Sequence, residues 1–189
     1  MPLSRKPAPF DHPEWIFELK YDRFRSLAVT QNGRCQLISR NGDPFSSFSS
    51  LQRNLAPIYA EKTVLYGEIV CLNKKGKPQF RDLLFHRGEP CFFAFDVLMS
   101  EGKDLRRERL TDRKHELRRL LSRRPESARL RYADHMSDTA LHSLSESANW
   151  TWKALSRNMR SESTRLNSQP LGSRLKSWLL TNAGPGRVI

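Results

Sequence analysis

The fold is decided by residues 14–25, which read Glu-Trp-Ile-Phe-Glu-Leu-Lys-Tyr-Asp-Arg-Phe-Arg. Every second residue from Trp15 to Leu19 is large and apolar, and this period of two is typical of a half-buried β-strand. We therefore predict a strand with one face in a core. The other face carries Glu18 and ends at Lys20, and we expect it to line a pocket or face solvent.

Lys20 has two interpretations. The amine of a lysine attacks only when it is neutral, and burial or neighbouring cations such as Arg23 and Arg25 lower its pKa towards working pH. Lys20 is therefore a candidate nucleophile. The alternative is an ordinary solvated lysine at a strand end, which is the commoner situation.

Length and charge restrict the class of protein. At 189 residues the chain is about one domain long, and its net charge of +13 favours a polyanionic partner, nucleic acid before an anionic membrane. No run of about 18 apolar residues and no secretory leader is present, so we expect no membrane association. We expect the three cysteines to be reduced core thiols of a cytosolic protein, and the five histidines show no spacing for a zinc site.

The rest of the chain, up to about residue 135, alternates strands, turns and helices. Strands are predicted at residues 24–30, 35–40, 63–72, 91–99 and 128–135, and helices at 47–60, 78–85 and 112–122. The first helix has Leu51 and Leu55 at helical spacing, and Pro57 is expected to make it short or kinked. Asn-Gly at 32–33 predicts a two-residue hairpin, and Glu-Gly-Lys-Asp at 101–104 predicts a turn. Ser49 or Ser50 is the predicted cap of the first helix and Thr111 that of the last, and Pro78 is predicted to lie in the first turn of the second. In the last helix the leucines are expected to face inward and the basic residues, Arg113, Lys114, Arg118, Arg119, Arg123 and Arg124, to face solvent.

Three residues outside the first strand are candidates for binding. Glu68 interrupts an apolar strand, and a carboxylate there is costly to bury unless it is paired or functional. The alternative places Glu68 on the open face of an edge strand. Arg40 ends a strand and in isolation reads as a surface residue, whereas Phe95 belongs to an aromatic strand in which most rings simply pack.

Four segments resemble, in order and rough spacing, the motifs of covalent nucleotidyltransferases, the superfamily of ATP-dependent DNA ligases, RNA ligases and mRNA capping enzymes. They are Lys-Tyr-Asp-Arg-Phe-Arg at 20–25, Ser-Arg-Asn-Gly at 39–42, Gly-Glu-Ile-Val at 67–70 and Phe-Asp at 95–96. The run from Glu14 to Arg25 is most similar to the ligase domain of bacterial end-joining ligase D. Two positions depart from the pattern, since Arg23 replaces the family's glycine and Tyr66 its aspartate.

The resemblance implies an α+β, ATP-grasp-like adenylation domain, built from antiparallel sheets with a nucleotide cleft between them and incomplete at its C-terminus. It implies an ATP-dependent DNA ligase that uses Mg²⁺ and acts through a lysyl-AMP intermediate. The nucleophile would be Lys20, and the nucleotide-binding residues would be Glu18, Arg25, Arg40, Glu68 and Phe95, with no metal ligand assigned. The implied partners are nicked or broken double-stranded DNA and other end-joining proteins, in the bacterial cytoplasm near the nucleoid.

The resemblance ends before the last quarter of the chain. We expect an N-terminal arm at residues 1–13, the nucleotidyltransferase domain at 14–142, and a divergent tail at 143–189. The tail holds nine serines, seven basic residues and two acids without periodicity, which favours a poorly ordered or frameshifted segment over closing strands of a sheet. The family's Glu-Gly-x-Val-x-Lys and Trp-x-Lys-x-Lys segments are not found there, and an OB-fold domain is expected to be absent.

Two other functions fit part of the pattern. A degenerate relative that binds nucleotide or nucleic acid without ligating is favoured by Arg23, by Tyr66 and by the missing C-terminal lysines. An RNA ligase or capping-type guanylyltransferase fits the lysine motif, but the residues around that motif resemble ligase D instead.

Replacing Arg23 by glycine is expected to raise either the affinity for ATP or the yield of lysine adenylylation. The family's glycine marks a backbone position that a side chain strains or crowds. The two proteins are compared by covalent labelling with ATP and by nucleotide titration. Equal labelling and equal affinity would mean that the arginine simply points into solvent.

Overall fold

The computed structural model of the chain describes residues 15–19, 24–59, 61–123, 129–137 and 152–156. The strands are β1 (Trp15–Leu19), β2 (Phe24–Gln31), β3 (Arg34–Ser39), β4 (Thr63–Cys71), β5 (Pro90–Ser100), β6 (Lys103–Asp104), β7 (Leu130–Tyr132), β8 (His135–Ser137) and β9 (Trp152–Ser156). The helices are α1 (Ser49–Leu55), followed by a 3₁₀ turn at Ala56–Ile58, then α2 (Phe80–Leu84) and α3 (Leu110–Ser122). None of these helices is long and apolar enough to cross a membrane.

The larger sheet has six strands. Its order is β3-β2-β4-β5-β6, all antiparallel, and β7 lies parallel to β5. β2 and β3 are joined by Asn32 and Gly33, both with positive φ, as the Asn-Gly pair predicts for a hairpin whose twist matches that of its strands. β4 and β5 form the centre of this sheet, because both are nearly continuous apolar runs and are paired on both sides.

The smaller sheet has three antiparallel strands in the order β8-β1-β9. All five residues of β1 are paired with β9, from Trp15 opposite Ser156 to Leu19 opposite Trp152. The prediction of an α+β fold built on antiparallel sheets is thus confirmed. The expectation that no closing strand follows residue 143 is wrong, since β9 lies in that segment and completes the sheet around β1.

The main hydrophobic core lies between one face of the larger sheet and the helices. Leu51 and Leu55 of α1, and Leu117 and Leu120 of α3, are buried against sheet residues such as Phe92. This confirms the inward faces predicted from helical spacing. The helix predicted at 47–60 is short, as expected, because Pro57 allows only a 3₁₀ turn after Leu55.

The predicted helix caps are wrong by one to two residues. α1 begins after Phe48 and α3 after Arg109, without a capping hydrogen bond from a side chain. Pro78 precedes α2 and forms an isolated β-bridge with Leu72. The reason is tertiary, since the buried side chains of Phe48 and Leu110 set where each helix begins.

Two predicted segments are divided differently. The single strand predicted at 128–135 is two strands, because the chain leaves β5 at the buried Ala133 and continues into the other sheet as β8. In the segment 101–104 the turn comprises only Glu101 and Gly102, both with positive φ. Lys103 and Asp104 already pair with β5.

Replacing Gly67 by alanine is expected to lower the free energy of unfolding by about 3 kcal/mol, because this part of β4 has no space for a side chain. A Cβ there would run into the carbonyl oxygen of Phe93 and come within 2.6 Å of the Phe92 ring. The measurement is urea unfolding followed by circular dichroism.

Gly33→Ala is the matched control. No atom lies within 4 Å of a Cβ at Gly33, so the change adds only the strain of a positive φ, about 1 kcal/mol. Equal losses in the two variants would contradict the packing argument.

Candidate active site

Arg25 and Glu68 lie opposite each other on neighbouring strands. They are partners in the β2–β4 ladder, and Arg25 Nε lies 3.5 Å from Glu68 Oε1. Arg25 also donates from Nη1 to the Tyr66 hydroxyl at 3.5 Å. Glu68 is only 4% exposed, whereas the Arg25 side chain is 30% exposed, so the guanidinium reaches from a buried carboxylate towards the surface.

The position of β4 decides between the two interpretations of Glu68. β4 lies between β2 and β5, so the alternative of an open face on an edge strand is wrong. Glu68 is buried and paired with a cation, which is the condition under which a carboxylate is tolerated inside an apolar strand.

The protonation states of this group are well defined. Burial disfavours the charge on Arg25, but the neighbouring Tyr66 and Glu68 outweigh it and raise the arginine pKa. Burial also raises the pKa of Tyr66. At neutral pH the group therefore consists of a guanidinium beside a neutral phenol.

Phe95 lies next to this group at an irregular point of β5. Gly67 pairs with Ala94 and Tyr66 pairs with Asp96, which leaves Phe95 as the extra residue of a β-bulge. The Phe95 and Tyr66 rings meet edge to face, with centroids 4.6 Å apart. A bulge re-aims its side chain, and here it brings an aromatic ring beside Tyr66, the residue that also binds Arg25.

Arg113 and Lys114 contradict the prediction that both face solvent, since they are 1% and 2% exposed. Arg113 donates from Nε and Nη2 to the two carboxylate oxygens of Asp96, at 2.8 Å each. Lys114 pairs with Glu18 and donates to the carbonyl of Phe95 at 2.9 Å. The physical reason is that two acids buried in the strands require cations, and α3 supplies both.

These two cations are the functional residues that sequence reasoning missed. A signal was available, because Arg113 and Lys114 precede the buried Leu117 by four and three residues and so share its face of the helix. Basic residues at inward positions indicate buried acids elsewhere in the chain. Glu18 and Asp96 were visible as such acids within apolar strands.

His135 lies against the Glu18–Lys114 pair from β8, where it is the ladder partner of Glu18. Burial, and then the charges of Lys114 and Arg118, lower its pKa to about 4. Burial raises the pKa of Tyr132 to about 12. The Tyr132 phenol therefore keeps its proton, and its oxygen forms a hydrogen bond of 2.8 Å with Nδ1 of a neutral His135.

The remaining predicted site residues are placed as follows. Arg40 lies in the exposed turn after β3, one step beyond the Ser26–Ser39 ladder pair and so at the same end of the sheet as Arg25. Lys20 and Arg23 lie outside the described residues. β1 ends at Leu19, the residue before Lys20, and β1 carries Glu18.

The structure thus pairs Arg25 with Glu68 and connects Arg25 to the Phe95 ring through Tyr66. Glu18 is connected to the Phe95 carbonyl through Lys114. An aromatic ring, a carboxylate and an arginine are the groups that bind a base, a ribose and a phosphate, so this donor set fits a nucleotide. Among the described residues, no three histidine, cysteine or acidic side chains gather as metal ligands. Mg²⁺ held with nucleotide phosphates takes one or two protein carboxylates, and Glu68 fits that requirement.

Comparison with known proteins identifies the family. Residues 7–158 match the family model described as ATP dependent DNA ligase domain. The multifunctional non-homologous end joining protein LigD of Pseudomonas aeruginosa is 35% identical over 119 residues, covering 60% of this chain and 14% of that protein. The bifunctional LigD of Bacillus subtilis is 33% identical over 129 residues, covering 58% of this chain and 21% of that protein.

Solved structures of LigD ligase domains have the same fold as this chain. The ligase domain of Mycobacterium tuberculosis LigD has a TM-score of 0.66 and 29% identity, over 77% of this chain and 48% of that one. A mycobacterial DNA ligase D complexed with ATP and MES has a TM-score of 0.64 and 28% identity, over 77% and 49%. The chain therefore spans about half of these solved domains and less than a quarter of the full-length relatives.

Fold and site together define a nucleotidyltransferase domain of the ligase type. The chain belongs to the family of ATP-dependent DNA ligase domains, and its relatives are the LigD proteins of bacterial end joining. This confirms the family predicted from the four motifs. The domain was expected to end at residue 142, but the family match extends to residue 158.

The stability of the fold is expected to fall as pH is lowered from about 6.5 to about 4 because of His135. Its pKa is about 4 in the folded chain against an ordinary 6.5. In that interval the unfolded chain binds the extra proton, so acidification favours unfolding. Between about pH 7 and pH 4.5 the wild type should lose about 1 kcal/mol more than His135→Gln, allowing for partial exposure.

Urea unfolding at the two pH values gives the four free energies needed. Acidic residues contribute equally to both proteins and cancel in the difference. Equal pH dependence in wild type and His135→Gln would show that the imidazole is not held neutral.

Proposed function

We propose that this chain is the adenylation domain of an ATP-dependent DNA ligase of the end-joining type, with Lys20 as the nucleophile. The observation that supports this most is the convergence of Arg25, Glu68 and Phe95 on one sheet, which Lys114 connects to the strand that leads to Lys20. These are the residues that the ligase resemblance assigns to the nucleotide.

The proposed reaction has three steps. The neutral amine of Lys20 attacks the α-phosphate of ATP, pyrophosphate leaves, and a lysyl-AMP phosphoramidate forms. AMP is then transferred to a 5′-phosphate at a DNA break, and the neighbouring 3′-hydroxyl displaces it to seal the strand. Positioning and charge neutralisation are expected to supply most of the rate.

Each described residue has a role suited to its position. Phe95 offers a ring for the adenine, with Glu18 at the same end of the site. Glu68 accepts hydrogen bonds from the ribose hydroxyls or contributes to holding Mg²⁺, which when bound would neutralise charge on the leaving pyrophosphate. Arg25 and Arg40, at one end of the sheet, neutralise phosphate charge.

The substrate and setting are part of the proposal. The net charge of +13 suits a DNA backbone, and the relatives are named as non-homologous end joining proteins. We propose nicked or broken duplex DNA as the substrate, other end-joining proteins as partners, and the bacterial cytoplasm as the location.

The domain organisation is proposed with one revision. Residues 1–13 remain an arm, and the adenylation domain extends to about residue 158, where the family match ends and shortly after β9. The proposed disordered or frameshifted tail therefore begins after that point rather than at residue 143.

A degenerate nucleotide binder is the second candidate, and Tyr66 favours it. In place of the family's aspartate, Tyr66 puts a neutral phenol against Arg25 and a ring against Phe95. An anion beside Arg25 is thereby replaced by a bulky neutral group. Arg23 and the absent C-terminal lysine segments point the same way.

Covalent labelling distinguishes these functions. With ATP labelled at the α-phosphate, the chain is expected to become labelled, and Lys20→Ala to remain unlabelled. Label from GTP instead would indicate a capping-type enzyme, and no label a degenerate binder.

Nick sealing by the 189-residue chain is expected to be inefficient. Each lost charge-assisted contact to the triphosphate costs about 1.5–3 kcal/mol, so two losses slow adenylylation by about 10²–10⁴-fold. Adenylylated enzyme should therefore form slowly, and little sealed product should appear. Efficient sealing of nicked duplex by this chain alone would contradict the expectation.

A further inference from the structure

Lys114 contacts two separate parts of the candidate site at once. Its ammonium pairs with the Glu18 carboxylate in β1 and donates to the main-chain carbonyl of Phe95 in β5 at 2.9 Å. Lys114 and Glu18 are both fully buried. A single charged group on α3 therefore links the three-stranded sheet to the six-stranded sheet.

The contact with Phe95 falls at the β-bulge. The extra residue of a bulge lies outside the ladder of backbone hydrogen bonds, and a buried carbonyl needs a donor from elsewhere. The Lys114 ammonium supplies that donor. It thereby stabilises the irregular backbone that aims the Phe95 ring towards Tyr66.

The contact with Glu18 falls two residues before Lys20. Glu18 is flanked in the ladder by His135 of β8 and Lys153 of β9, and Tyr132 of β7 lies close enough to interact with its charge. Lys114 of α3 adds a buried cation to this group. Without it, a carboxylate in the strand that leads to Lys20 would have to move or be hydrated.

We infer that Lys114 is a positioning residue for adenylylation, holding the strand that leads to Lys20 in register with the bulge that aims Phe95. This inference rests on the proposed function. In the step concerned, the Lys20 nitrogen forms a bond to the α-phosphorus of ATP while the bond to pyrophosphate breaks. Pyrophosphate leaves with the electron pair, and the amine proton is released to solvent. Misplacing the nitrogen or the base by about 1 Å slows such a step by about a hundredfold.

The experiment compares the wild type with Lys114→Met, Lys114→Arg and the double variant Glu18→Gln/Lys114→Met in the full chain. Lys103→Met is the matched control, because Lys103 is an exposed lysine on β6 at the far end of the larger sheet. For each protein the rate of covalent labelling at saturating ATP, the dissociation constant for ATP and the urea unfolding curve are measured.

Lys114→Met is expected to slow labelling about 10- to 100-fold in the folded protein, and Lys103→Met to leave it unchanged. Lys114→Arg keeps a buried cation within reach of both acceptors and should recover most of the rate. A full labelling rate in folded Lys114→Met, or no recovery in Lys114→Arg, would overturn the inference.

The double variant separates positioning from simple stability. It removes both charges, so it leaves no uncompensated buried carboxylate and should be more stable than Lys114→Met. It is expected to regain stability while labelling at saturating ATP stays slow, because the link between the two sheets is still missing. A lost nucleotide contact of Glu18 itself would appear in the dissociation constant for ATP. Recovery of stability and rate together would reduce Lys114 to a structural role and overturn the inference.

The outcome for the wild type keeps the two proposals distinct. A wild type that takes no label from ATP removes the proposed function and this inference with it. A wild type that is labelled at Lys20, with Lys114→Met labelled equally fast, removes the inference alone.

Discussion

Two ion pairs buried beneath α3 are the constraint on which the rest of this structure depends. Glu18 and Asp96 are carboxylates enclosed within strands, and Lys114 and Arg113 are the cations that neutralise them. Each isolated ion would cost several kcal/mol to bury, and the attraction compensates only when the geometry is good. Because the two cations are consecutive on the helix and are flanked by Asp112 and His115, a shift of α3 by one residue would leave one of the two acids without its cation. The helix is therefore fixed in register on both sheets.

The consequences of this constraint extend to the site. Asp96 follows the bulged Phe95 directly, so the bidentate contact from Arg113 holds the chain immediately after the bulge. Lys114 holds the carbonyl of the bulged residue itself. Two neighbouring side chains of α3 thus hold the bulge in β5, one at the carbonyl of Phe95 and the other at the side chain of Asp96. An irregular strand that is held so firmly presents its ring in a fixed direction, which is what stacking on a base requires.

The electrostatics of the site separate charged from neutral groups. Arg25 stays a cation beside Glu68, while Tyr66 and His135 stay neutral at physiological pH. The Arg25 guanidinium is paired with the buried Glu68 but is itself partly exposed, so it remains available to a phosphate. Tyr66 is the point at which this chain departs from its family in the described part of the site. Its phenol retains a contact to Arg25 but carries no charge, and its ring takes up space beside Phe95.

The sequence by itself determined most of the elements and the family. Alternating apolar residues predicted β1, Asn-Gly predicted the hairpin after β2, and leucine spacing predicted the buried faces of α1 and α3, because these signals are local and follow from backbone period and turn sterics. Only the tertiary structure decided how charged residues are used. The basic face of α3 reads as solvated until Glu18 and Asp96 are seen beneath it, and β9 has no periodic signal because its place comes from pairing with β1. The β-bulge at Phe95 was equally invisible, since it depends on which residues of β4 and β5 face each other across the sheet.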